Sequence, residues 1–172
     1  MSNTSKEYKL LLRSAREKRL PHCLLLQGQD ALTLHAATDA AAALLCPVSG
    51  DEGCGCQTCR RIREGIHPDV VTLDRADAII PVDDIRQLRS DAVVAPLEAR
   101  GRVFIIKNAQ NMNRAAQNAA LKLFEEPPEG VSFFLLAQNA DALMQTVRSR
   151  CTDFHIGAQD AEEKSEEERE EE

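Results

Sequence analysis

Cys23-Leu24-Leu25-Leu26-Gln27-Gly28-Gln29-Asp30-Ala31-Leu32-Thr33-Leu34-His35-Ala36 is the stretch on which the fold turns. Its first four residues form an unbroken apolar run bounded by Pro21 and Gly28, the pattern of a strand buried on both faces. Alanine-rich residues 30–45 follow with helix-forming composition. A doubly buried strand that feeds straight into a helix requires helices on both sides of a parallel sheet.

The alternation continues along the chain. Val70-Val71-Thr72-Leu73, Val103-Phe104-Ile105-Ile106 and Phe133-Phe134-Leu135-Leu136 are further strand candidates, and 152–156 is a short last one. Before the first strand, Leu10-Leu11-Leu12 with Arg13, Arg16, Lys18 and Arg19 reads as a short amphipathic helix ended by Pro21. Residues 82–94 carry Ile85, Leu88 and Val93 at near-helical spacing. A long helix is expected over 112–126, stopped by Pro127-Pro128, and a short one over 140–148. The expectation is one three-layer α/β domain over residues 1–159, without internal repeats.

Composition narrows the function classes. A chain of 172 residues suits one globular domain. Aromatics make up only 3 % of it, with no Trp, too few for a surface that stacks single-stranded bases. The net charge of −7 resides in residues 160–172, which hold nine of the 28 acids against Lys164 and Arg169. The remaining nineteen acids balance nineteen bases, so the body is neutral and autonomous DNA binding is not expected. Such an acidic run is expected to be a disordered, solvated tail. No stretch approaches the ~18–20 apolar residues of a membrane span, and the polar start, Met1 to Lys9, lacks a signal-peptide core. A cytoplasmic protein is expected, in which six cysteines remain reduced.

Cys46, Cys54, Cys56 and Cys59 fall within one polar loop, spaced C-x7-C-x-C-x2-C, with Gly50, Gly53 and Gly55 supplying turns. Four thiolates on short chelate spacings close a tetrahedron around zinc, and four protein ligands leave no position for water. A structural Zn²⁺ inserted over 46–59 is therefore expected. His67 is an alternative ligand, and Cys23 reads as a core residue.

Gly28 stands where a phosphate-binding loop would begin. A working loop needs G-x-x-x-x-G-K-[ST], with glycine amides and a lysine for phosphates and a hydroxyl for Mg²⁺. Counted from Gly28, Thr33 replaces the second glycine, Leu34 the lysine and His35 the hydroxyl. The third strand should end in acids that organise Mg²⁺ and water; it runs into Lys107-Asn108-Ala109-Gln110. Neither ATP binding nor hydrolysis is expected.

Several segments together resemble a known family. They are Pro21-His22, the four-cysteine loop, Gly65-Ile66-His67-Pro68-Asp69-Val70, Val82-Asp83-Asp84-Ile85-Arg86-Gln87-Leu88, Asn118 through Glu125-Glu126-Pro127-Pro128, and Thr146-Val147-Arg148-Ser149-Arg150-Cys151. In this order they are similar to the delta-prime/gamma/tau subunits of the bacterial DNA polymerase III clamp loader, over about residues 20–156. The resemblance implies an AAA+ base domain with a five-stranded parallel sheet in the order 5-1-4-3-2. It also implies that Arg150 acts as an arginine finger in a neighbouring subunit's ATP site, where a trans arginine stabilises charge on the transferring phosphoryl group. The implied partners are gamma/tau and delta subunits and, indirectly, the sliding clamp and primed DNA. A lost ATP site beside a retained finger resembles the delta-prime kind, a non-hydrolysing component rather than an enzyme.

Other readings stand beside this one. The body can be a zinc-stapled adaptor for some different protein, or an ATPase with an unorthodox loop. Without the family, Arg150 reads as a surface charge capping the Ser149 turn. Adjacent Glu125 and Glu126 point about 100° apart on a helix, so they mark a helix end rather than an acid/base pair. Arg60, Arg61 and Arg63 read as a solvated face or a phosphate contact.

Overall fold

The computed structural model describes residues 6–48 and 53–157; the expected acidic tail and the expected domain end at residue 159 lie outside them. Five parallel strands form one sheet: β1 Cys23–Gln27, β2 Val70–Leu73, β3 Arg102–Ile106, β4 Val131–Ala137 and β5 Thr152–His155, ordered β2-β3-β4-β1-β5. This is the order that the family resemblance implies, read from the other edge. The helices are α1 Lys6–Arg16, α2 Asp30–Leu45, α3 Gln57–Arg63, α4 Val82–Ala92, α5 Arg114–Glu125 and α6 Gln145–Arg148.

Alternation along the central strands builds two cores. Cys23 and Leu25, with Phe104, Ile106, Phe133 and Leu135, pack on α4 and α5 through Ile85, Leu88, Ala116, Ala120, Leu123 and Phe124. Leu24 and Leu26, with Val103, Ile105, Phe134 and Leu136, pack on α1, α2 and α3 through Leu11, Leu12, Ala36, Ala40, Cys59 and Ile62. β3 and β4 are buried along their whole length, so polar outward positions have no place in them. The run of alanines in α2 is buried because the sheet lies on one side and α1 and α3 on the other.

Four expected helices differ in detail. The first begins at Lys6 and ends at Arg16, before Lys18 turns left-handed with φ 57°. The one expected over 82–94 ends at Ala92, and Val93, counted in its apolar spacing, is exposed. The helix expected from 112 starts at Arg114 because the Asn113 side chain accepts from the Ala116 N–H at 2.8 Å, and a 3-10 turn, Ala109–Asn111, precedes it. The helix expected over 140–148 is broken. A 3-10 turn, Ala140–Ala142, leads to extended Leu143 and Met144, and only then does α6 begin. Leu143 drops into the core there, and the Met144 N–H donates to Gln117 Oε1 at 2.7 Å. Among the described residues no helix is long and apolar enough to cross a membrane.

Candidate functional site

The cysteine loop closes into a cluster. Cys46 follows α2, Cys56 caps α3, and Cys59 lies in the first turn of α3, so the fourth cysteine of the expected loop stands on a helix. The four Sγ atoms all lie within 4.8 Å of one another, with Cys46 at 3.8 Å from Cys54 and 3.7 Å from Cys56. Four sulfurs at ~2.3 Å from a central ion stand about 3.8 Å apart in a tetrahedron. The spacing therefore fits a four-thiolate metal ion. The Cys56 Sγ accepts from the Cys59 N–H and the Cys46 Sγ from the Val48 N–H, both at 3.4 Å. His67 is not a member of this group: it is buried, and its Nδ1 accepts from the Asp69 N–H at 3.0 Å.

At the place of the phosphate loop, several groups have other partners. The Gly28 N–H donates to Ala137 O at 3.1 Å, and the Ile156 N–H donates to Gln27 O at 2.8 Å. The Ile156 carbonyl lies so near Gly28 that any Cβ there would collide with it. Thr33 is buried and spends its hydroxyl on the carbonyls of Gln29 and Asp30. His35 pairs with Asp39 at 3.2 Å and stacks on Tyr8, which also donates to Asp39. A cavity of about 330 Å³ opens at the carboxyl ends of β2 and β3, with Leu34, Thr38, Asp74 and Lys107 in its wall. Lys107 donates to Asp74 at 3.1 Å. The Ala76 N–H, and then Lys107, hold the Asp74 carboxyl below the usual carboxylate range.

Arg150 sits in the turn between α6 and β5. Its Nη1 donates to the Thr146 carbonyl at 2.6 Å, the turn-capping contact expected of a surface charge at Ser149. Its Nε also donates to Glu125 Oε1 at 2.7 Å, and Nη2 reaches the same oxygen. The side chain is 29 % exposed. The end of α5 and the Ser149-Arg150-Cys151 segment are thus joined by one charged contact. Glu126 lies just beyond α5, with φ −130° and ψ 68°, so the 100° helical separation expected of the pair does not apply to it.

Asp69 was missed as a structural centre. It is fully buried and accepts the N–H groups of Leu97, Glu98 and Ala99 at 2.7, 2.8 and 2.7 Å, with Arg102 Nε 3.7 Å away. Burial pushes its carboxyl up, but the three backbone donors prevail and hold it below the usual range. The loop it pins presents Val93, Val94 and Leu97 outward, at 73, 53 and 69 % exposure. An acid directly before a strand was the only signal in the sequence.

Comparison with known proteins adds to this geometry. The profile of the family described as "DNA polymerase III, delta subunit" matches residues 3–160. The chain is 32 % identical over 145 residues to subunit delta' of DNA polymerase III from Bacillus subtilis, covering 83 % of this chain and 44 % of that protein. It is 38 % identical over 110 residues to subunit tau from Escherichia coli, covering 63 % and 17 %. It spans less than half the length of these curated relatives. Among solved structures, a gamma-subunit-related protein from Thermotoga maritima superposes with TM-score 0.69 at 20 % identity, covering 89 % of this chain and 46 % of that one. The Bacillus subtilis clamp loader delta protein superposes with TM-score 0.55 at 14 % identity, covering 86 % and 42 %. At such identities these two likenesses carry the fold alone.

Proposed function

This chain belongs to the DNA polymerase III delta-subunit family, with an AAA+ fold, and on that premise we propose that it is a non-hydrolysing, delta-prime-type clamp-loader subunit. It works in the cytoplasm beside gamma/tau and delta subunits, supporting their loading of the sliding clamp on primed DNA. Its contribution is Arg150, given in trans to a neighbour's ATP.

One observation carries the reading: the chain keeps an arginine on an accessible turn, while the place of its own phosphate loop lacks the lysine that would hold phosphate. Leu34 and Lys107 stand where a phosphate lysine and a metal carboxylate are needed, and Lys107 is already paired with Asp74. The Ile156 carbonyl crowds Gly28. The chain is accordingly not an ATPase by itself.

Zn²⁺ is the metal that suits Cys46, Cys54, Cys56 and Cys59. When bound it supplies four bonds that tie the end of α2 to α3, and no reaction. These residues are far in sequence from Arg150, and their role is to hold the α2–α3 layer rigid.

A second reading has its own support: the outward apolar residues of the loop pinned by Asp69 suit a zinc-stapled adaptor for another protein. Reconstitution separates the two. Gamma/tau, delta, clamp and primed DNA are mixed with the wild-type chain or with Arg150→Ala, and ATP turnover is measured. Stimulation that disappears in the variant supports the trans arginine. Stimulation indifferent to the variant sinks it and leaves the adaptor.

A further inference from the structure

Cys23 and Cys151 lie side by side on neighbouring strands. Cys23 opens β1, and the pairing of Leu24 with Thr152 brings residue 151 level with it. Their Sγ atoms are 2.9 Å apart, and both thiols are free. This is closer than the 3.7 and 3.8 Å within the four-cysteine cluster, and too close for two thiolates to share a metal ion at ~2.3 Å from each in tetrahedral geometry. Parallel neighbours stand ~4.8 Å apart, within the ~4.4–6.8 Å range of Cα separations that a disulfide spans. Cys23 is 4 % exposed, whereas Cys151 is only half-buried, so one thiol meets solvent and the other waits behind it.

We propose that Cys23 and Cys151 form an oxidisable dithiol, a redox modification site that closes to a disulfide with a peroxide or a small-molecule disulfide as oxidant. With hydrogen peroxide, the Cys151 sulfur gives up its proton and attacks one oxygen. The O–O bond breaks, water leaves, and Cys151 becomes a sulfenic acid. The Cys23 sulfur then attacks the Cys151 sulfur, the S–O bond breaks, and a second water leaves with the Cys23 proton. Two thiols are oxidised by one electron each, and the peroxide is reduced to two waters. With a small-molecule disulfide, two successive exchanges release two small thiols instead. Cys151 is the half-exposed partner and Cys23 the buried one, which assigns the first attack to Cys151 and resolution to Cys23; the contact with Cys151, and then burial, push the Cys23 thiol up. Arg150 directly precedes Cys151, so the disulfide ties the residue beside the arginine to β1. That consequence rests on the clamp-loader reading; the chemistry does not.

The test uses the full chain loaded with zinc, treated with graded hydrogen peroxide, then unfolded with chelator, alkylated and mapped by mass spectrometry. The expected product is a linked Cys23–Cys151 peptide that forms before any linkage among Cys46, Cys54, Cys56 and Cys59. Four of the six cysteines remain alkylable, and dithiothreitol restores the other two. Cys23→Ala should leave Cys151 as sulfenic or sulfinic acid with no link. Linkage confined to the four-cysteine cluster, with Cys23 and Cys151 fully alkylated in wild type, overturns the dithiol. Wild-type mapping alone decides this, whether or not the variant folds. In the reconstituted ATPase, oxidation should lower stimulation reversibly in wild type and not in Cys23→Ala. Unchanged turnover by fully linked protein overturns the coupling to Arg150. If even the reduced chain gives no stimulation, the subunit reading fails, and the map still decides the dithiol.

Discussion

Arg150 is held by Glu125: its Nε donates to Oε1 at 2.7 Å across a separation of 25 residues in sequence. The contact joins the end of α5 to the turn before β5, and both side chains keep solvent access. To serve a neighbour, the guanidinium must exchange this carboxylate for a phosphate, which is possible because an exposed ion pair is worth only about 0–1 kcal/mol.

Arg150→Ala should therefore separate stability from function. Its denaturation midpoint should correspond to a loss of no more than about 1 kcal/mol. Stimulation of the partner ATPase should fall by a factor approaching the ~10³ that trans arginines supply elsewhere. Glu125→Gln should be equally mild in stability. Chemical denaturation and steady-state turnover on the same preparations check both statements.

The four-cysteine cluster should bring about one zinc per chain through purification, measured by elemental analysis. Cys59 is buried at the start of α3, so Cys59→Ser should abolish stoichiometric zinc and lower the thermal midpoint by roughly 5–10 °C, the effect of a few kcal/mol in a domain of this size. Metal-free wild type with an unchanged midpoint would remove the structural role.

Asp69 should govern the acid limb of stability. Its folded carboxyl lies below the usual range, so its contribution is fully present above the unfolded carboxylate value of about 3.9. It is lost as pH falls below that value through the folded one. Asp69→Asn should cost about 3–5 kcal/mol at neutral pH, since it leaves Arg102 and three backbone donors facing a weaker acceptor. It should also flatten the pH dependence below about pH 4. Urea denaturation across that range is the measurement.

Gly28→Ala should destabilise the chain by about 1–3 kcal/mol. Gly28 has φ 151°, and the Ile156 carbonyl fills the space of a Cβ. ATP titrated into wild type should give no saturable binding at millimolar concentration. Leu34→Lys alone should not create it, because Lys107 and Ile156 still oppose phosphate and Mg²⁺. Calorimetry or equilibrium dialysis reads the outcome.

What the sequence determined by itself was local. Apolar runs such as Leu24-Leu25-Leu26 and Phe133-Phe134-Leu135-Leu136 read as strands because burial on both faces leaves no polar alternation. The four cysteines were legible because chelation works over short spacings, and Leu34 and Lys107 could be read at counted positions as the wrong chemistry for phosphate and Mg²⁺. The breaks at Asn113 and Leu143 were not, since a side-chain cap and a dip into the core override a good helical run. Only the tertiary structure decided that Glu125 holds Arg150, that Asp69 pins a loop about 30 residues away, and that Cys151 meets Cys23 across 128 residues. Such pairs are set by the order in which the strands assemble. Side-chain contacts between distant segments carry no periodicity in the chain, so the sheet has to form before chemistry at its edges can be read.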